Sequence, residues 1–328
     1  MRKLIRKISM ILMTLIIAVG ILWSPVGYAE SDTLTFGFAM PALTHSYWIP
    51  IYYGVQDELK KFDKKVELVV VNAGGFNRLD NQIKQVENLI QRKVDAILIG
   101  ATSAQGIVPV VEEAIKKGIP VVGLGSQPKS DKVLTKVLAD DYGMGKIQAE
   151  FLGSYCKGKG SVAMISGPPG LNWTMDRANG FRDTLKKQFP KMKIVAEQWT
   201  PVSRPKALSL MEDWMQRFPD LKGVYTANDD LAVGAVEAIK AADKANQIKV
   251  SSANPTPLGM KYLKEGNIVG FAIQQTVLQG RIAARSAYNY ITEGEVVSKV
   301  LTAVLPISKE NADSFNYSNV LHPKEFKP

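Results

Sequence analysis

Short apolar runs alternate with amphipathic stretches along most of the chain. The runs read LTFGF, VELVVVN, AILIG, PVVGLG, SVAMIS, KIVAEQ, GVYT, KVSS and IVGFAIQ. They are rich in Val and Ile, and several are apolar throughout, as strands covered on both faces must be. Between them lie helical patterns. Leu79–Arg92 carries Leu79, Ile83, Val86 and Ile90 at three- and four-residue spacing. Ile107–Lys117 is closed by Gly118, and Leu231–Ala242 follows NDD, which supplies helix-capping side chains. Strand–helix alternation of this kind predicts parallel α/β sheets. About nine such units overfill one small open sheet, so the pattern predicts two sheets of five or six strands. A seam is expected after VLADDYGMG (Val137–Gly145), where aspartates and glycines break the pattern.

The first segment departs from this alternation. Arg2, Lys3, Arg6 and Lys7 precede an apolar stretch, Ile8–Trp23, and then Gly27, Tyr28 and Ala29. That order of charge, apolar core and small residues reads as a secretory signal peptide over 1–29, placing the mature protein in the periplasm. The rival reading is an uncleaved membrane anchor, for which the core is slightly short. Cys156 is the only cysteine, which excludes an internal disulfide, and no cysteine follows the cleavage site to carry a lipid. Residues 1–29 hold four basic and no acidic residues, so the formal charge of +10 falls to +6 for the remainder. The remaining lysines are interspersed with acids, as in DELKKFDKKVE, and form no basic stripe with interleaved aromatics, which argues against nucleic-acid binding.

Little in the sequence points to catalysis. The two histidines are His45, which reads as a loop residue, and His322 in a polar tail. No HxxxH or CxxC spacing offers metal ligands, and a Ser-His-Asp triad would need His45 with no G-x-S-x-G turn. NAGG (Asn72–Gly75) and GLGS (Gly123–Ser126) lack the spacing of phosphate-binding loops, and read as tight turns. No cofactor is expected, and the chain reads as a non-enzyme. Hydrogen-bonding or aromatic groups instead collect at strand ends. They are Ser126 in GLGSQ, Trp173 in SGPPGLNW, Asn228 in YTANDD, Asn254 in SANPT and Gln274 in FAIQQ. Tyr47 and Trp48, in THSYWIPIYYG, follow the first strand. The carboxyl ends of parallel strands line the ligand crevice of such sheets. Each group alone also fits a turn or a cap, Asn228 most of all. Together they describe a site that holds a ligand without transforming it.

The segments GVYTANDDLAVGAVEAIKAA and RANGFRDTLKK (Arg177–Lys187) resemble the type I periplasmic binding proteins of the ribose-binding-like group, over residues 33–307. The resemblance implies two doubly wound parallel-sheet lobes joined by a three-crossing hinge. It places 30–139 and 275–302 in an N-terminal lobe, and 140–274 and 303–328 in a C-terminal lobe. Crossings are expected near Asp140, Gln274 and Thr302. The protein would be a monomer before docking. By the same resemblance Tyr47 and Trp48 stack on the ligand, and Asn228 and Gln274 are retained contacts. The charged contacts of sugar binders are replaced by Gly125–Ser126, Met175 and Asn254. That exchange disfavours a hydroxyl-rich sugar, since each unpaired buried polar group costs about 1–3 kcal/mol.

The SYW triplet, NAGGFNRL and PISKENAD (Pro306–Asp313) resemble a narrower, TorT-like branch, the periplasmic partners of a trimethylamine N-oxide sensor kinase. This leads to the expectation of a periplasmic solute-binding protein that signals to a sensor histidine kinase, with a trimethylamine N-oxide-like ligand. The alternative is the substrate-binding component of an ABC importer, with a sugar-like ligand and a permease as partner. A secreted hydrolase is the remote alternative.

Overall fold

The computed structural model describes residues 33–43, 47–295 and 297–328. The signal segment 1–29 and the His45 loop lie outside the described residues. The chain forms two six-stranded sheets, each flanked by helices on both faces, in the two-lobe α/β arrangement expected.

In the first lobe, β1 (Thr33–Met40), β2 (Lys65–Asn72), β3 (Ala96–Ile99), β4 (Val121–Leu124), β5 (Thr135–Ala139) and β11 (Lys299–Thr302) stand in the order β11-β5-β4-β3-β1-β2. All of their pairings are parallel. Every residue of β3 and β4 is buried, which accounts for their unbroken apolar sequence. Helices α1 (Trp48–Leu59), α2 (Leu79–Gln91) and α3 (Val108–Lys116) follow the first strands, and α9 (Thr276–Glu293) packs on α1.

The second lobe orders its strands β12-β10-β9-β8-β6-β7. They are β6 (Lys159–Gly167), β7 (Lys191–Trp199), β8 (Leu221–Thr226), β9 (Lys249–Ala253), β10 (Ile268–Ile273) and β12 (Leu305–Ile307), the last antiparallel to β10. Its helices are α4 (Asp141–Tyr155), α5 (Asn172–Gln188), α6 (Arg204–Arg217), α7 (Asp229–Ala241) and α8 (Pro257–Lys264). Among the described residues the chain passes between sheets after β5, after β10 and after β11.

Each lobe contains a helix crossing at which glycines of both helices meet the facing backbone. A Cβ at Gly54 of α1 would stand 2.1 Å from the Val277 carbonyl oxygen, and one at Gly280 of α9 would stand 2.2 Å from that of Ile51. In the second lobe a Cβ at Gly145 would lie 1.9 Å from the Arg177 oxygen, and one at Gly180 would lie 2.0 Å from that of Tyr142.

The carboxyl-terminal segment departs from the division expected for 303–328. Ala312 and Val320 join the core of the second lobe, and Lys264 bonds Asp313 at 2.7 Å. The chain then returns to the first lobe. Asn319 accepts from Leu278 N and from Arg281 Nη1, the latter at 3.0 Å, and the Phe326 ring stands 5.1 Å from Tyr53 and 5.8 Å from Tyr52. Phe326, half-buried against this aromatic pair, anchors the otherwise polar tail.

Candidate functional site

Tyr47 sits just before α1, on the backbone of Gly125, which follows β4 with φ +62°. A Cβ at Gly125 would meet the Tyr47 hydroxyl at 2.6 Å. The tyrosine hydroxyl therefore occupies the space into which a side chain at 125 would project. Tyr47 donates to Gln279 Oε1 at 3.1 Å. Burial pushes its hydroxyl well above the ordinary tyrosine range; Asp141 adds to that shift and Arg177 opposes it. Both of those charges belong to the second lobe, so Tyr47 lies where the lobes meet.

Trp48 does not share that position. It is fully buried in the first-lobe core, its ring lying over Gly100, where a Cβ would stand 1.8 Å from Cη2. Its edge meets the Tyr47 ring at a centroid distance of 5.2 Å, and its indole Nε1 has no partner among the described residues. The expected pair of stacking aromatics thus divides into one junction residue and one core residue. The α1 helix begins at Trp48, and helical geometry turns successive side chains about 100° apart, so adjacent residues cannot face one surface.

On the other lobe the centre is Arg177, 3% exposed. Its Nε and Nη2 each reach Asp141 Oδ1 at 2.8 Å, and Nη1 donates to the Ala227 carbonyl at 2.9 Å. The guanidinium stands 4.7 Å from the Trp173 ring centre. Burial raises the Asp141 carboxyl pKa, while Arg177 pulls it down. Trp173 lies in the first turn of α5, partly buried against the second-lobe core. The Arg177 bond to Ala227 fixes the strand end just before Asn228. Asn228 itself caps α7, its Oδ1 accepting from Leu231 N at 3.4 Å. Beside it, Asp229 accepts from Thr256 N at 2.9 Å and from the Thr256 hydroxyl.

The remaining expected residues gather at the crossings. Asn254 adopts φ +52°, and its Oδ1 accepts from Gln274 N at 3.0 Å. Gln274 Oε1 accepts from Gln279 Nε2 at 3.4 Å. Ser126 is held differently: its Oγ donates to the Ala101 carbonyl at 2.8 Å, and its own carbonyl accepts from Ala101 N, so it closes a loop end. The structure thus links Tyr47, Gln274 and Asn254, puts Trp173 under Arg177, uses Asn228 as a cap, and ties Ser126 to backbone.

Sequence reasoning passed over Asp141 and Gln279, took Thr302 only as a crossing point, and took Arg177 only as part of the RANGF motif. Arg177 could have been found as a lone cation in an otherwise apolar helix face, where Ala178, Phe181 and Leu185 are buried. Among the described residues no cluster of three His, Cys, Asp or Glu is arranged to hold a metal ion. No described helix is long and apolar enough to cross a membrane.

Residues 36–295 match the periplasmic binding protein domain. The chain belongs to the periplasmic binding protein family. A ribose import binding protein of Bacillus subtilis is 31% identical over 287 residues, covering 87% of this chain and 90% of that protein. A xylitol-binding protein of Mycolicibacterium smegmatis is 28% identical, covering 76% of this chain and 70% of its own length. Among solved structures, an ABC transporter periplasmic solute binding protein from Actinobacillus succinogenes with bound D-allose superposes with TM-score 0.79 at 27% identity, covering 86% of this chain and 100% of that one. These relatives are binding proteins, in line with a non-enzyme.

Proposed function

We propose that this periplasmic binding protein captures a sugar or sugar alcohol between its lobes and presents it to the permease of an ABC importer. The observation that carries the reading is the 31% identity to a ribose import binding protein, sustained over 87% of the chain. The site supports it in kind. Tyr47 and Trp173 offer flat apolar surface, and Asn254 and Gln274 offer amides, which suits a ligand with one apolar face and a modest set of hydroxyls. The relatives support import over the sensor-kinase role expected from the SYW and NAGGFNRL motifs. Trp48 in the core also removes one ring from the aromatic cage that a methylammonium ligand would need. The segment 1–29 supplies export to the periplasm in this reading.

Calorimetry with the mature chain tests it, titrating pentoses, hexoses, xylitol and trimethylamine N-oxide. Saturable binding of a sugar or polyol in the micromolar range or tighter is expected, with no heat from the N-oxide. Binding of the N-oxide alone would reverse the reading.

A further inference from the structure

Gln279 is fully buried, and nothing in its helical setting requires an amide there. Its polar atoms are nonetheless engaged in three directions. Oε1 accepts from the Tyr47 hydroxyl at 3.1 Å, and Nε2 donates to Thr302 Oγ1 at 3.1 Å and to Gln274 Oε1 at 3.4 Å. Both amide protons are used. The partners extend the set. Thr302 Oγ1 donates to the Leu138 carbonyl at 3.1 Å, and Asp140 N donates to the Thr302 carbonyl at 3.3 Å. Gln274 N donates to Asn254 Oδ1 at 3.0 Å. Leu138 and Asp140 flank the end of β5, Gln274 follows β10, and Thr302 ends β11. These are the three places where the chain passes between lobes.

We infer that Gln279 is a positioning residue, one buried amide that joins the Tyr47 ring to all three crossings, so that lobe rotation and ring placement are one motion. The inference rests on the binding function proposed above for the same site. Its physical basis is the cost of leaving any of these groups unpaired. In a buried network each partner loses its bond when the shared member is removed, so the parts keep their arrangement together or lose it together. Gln279 touches no ligand in this account; it acts through Tyr47 and Gln274.

Gln279→Met keeps the volume and removes every bond. It is expected to weaken sugar binding about tenfold or more, the equivalent of one net hydrogen bond. Tyr47→Phe should weaken it as well, and the double variant should bind no worse than the weaker single one, because both act on one linkage. Thr302→Val should lose part of the affinity, and Thr302→Ser should restore it. A plain packing role predicts otherwise: a lower melting temperature with unchanged affinity for Gln279→Met, or losses that multiply in the double variant. Either result overturns the inference.

A ligand-free readout separates this inference from the proposed function. Spin labels at Lys84→Cys and Lys193→Cys, exposed positions on α2 and β7, report the distance between lobes. Gln279→Met should broaden that distance distribution in the unliganded protein, and an unchanged distribution would overturn the inference. Should the wild type bind no sugar or polyol, the proposed function fails and the distance measurement alone decides the role of Gln279.

Discussion

Asp229 is a buried carboxyl whose ionisation bears on stability. Burial pushes its carboxyl up to about 6 from 3.8, against the pull of its bonds from Thr256, and its Oδ1 has no partner among the described residues. A Cβ at Gly259 would meet that oxygen at 2.0 Å, so the space beside it is closed to any larger residue. A carboxyl whose folded pKa exceeds its unfolded one favours the folded state when protonated. Its contribution is complete below the unfolded value and is lost as pH rises through the folded one. Between about pH 4 and 6 the wild type should therefore lose about 2–3 kcal/mol relative to Asp229→Asn, which does not titrate. Urea denaturation of both proteins across that range measures the difference, and parallel curves would refute it. At this scale the sequence was partly legible. Asn228 reads both as a ligand contact and as a cap; the cap is formed, and it could be read because capping depends only on neighbours in the chain. Trp48 reads as a ligand ring and is core, because its burial depends on Gly100, which is distant in sequence.

Among elements, the crossings at which glycines face each other, one in each lobe, bring helix backbones into direct contact. At the α1–α9 crossing the facing backbones leave no room for a methyl group. Gly280→Ala should force the helices apart and cost about 1–3 kcal/mol as overpacking, outweighing the roughly 1 kcal/mol that alanine gains in helix propensity. Urea denaturation reads the sign, and a stabilised Gly280→Ala protein would show that the crossing yields freely. The strand pattern was legible for nine strands: the apolar runs overlap β1–β4 and β6–β10, including the edge strands β2 and β7, which are eight and nine residues long. It was silent for β5, β11 and β12, of five, four and three residues. Two of these, β11 and β12, are both short and at sheet edges, where half-exposure leaves few apolar positions to read.

For the whole molecule, the carboxyl-terminal segment adds a non-covalent link to the covalent crossings. Ala312 and Val320 hold it to the second lobe, and Asn319 and Phe326 hold it to α9 and α1. Thr276 also donates to the Val320 carbonyl at 2.6 Å, at the very start of α9. Removal of residues 319–328 should lower the melting temperature by several degrees, as expected for about 1–2 kcal/mol in a chain of this size. It should also enlarge the radius of gyration of the unliganded protein in solution scattering, and an unchanged radius would argue that the link restrains nothing. Nothing in the sequence near Phe326 marked this return, since its partners Tyr52 and Tyr53 lie at the opposite end of the chain. The path of the tail also bears on how the protein can be instrumented. A fluorophore fused after Pro328 rides on the first lobe, although the strand that precedes the tail belongs to the second. Paired with an acceptor on the second lobe, such a fusion converts ligand capture into a change of energy transfer without a label near the cleft.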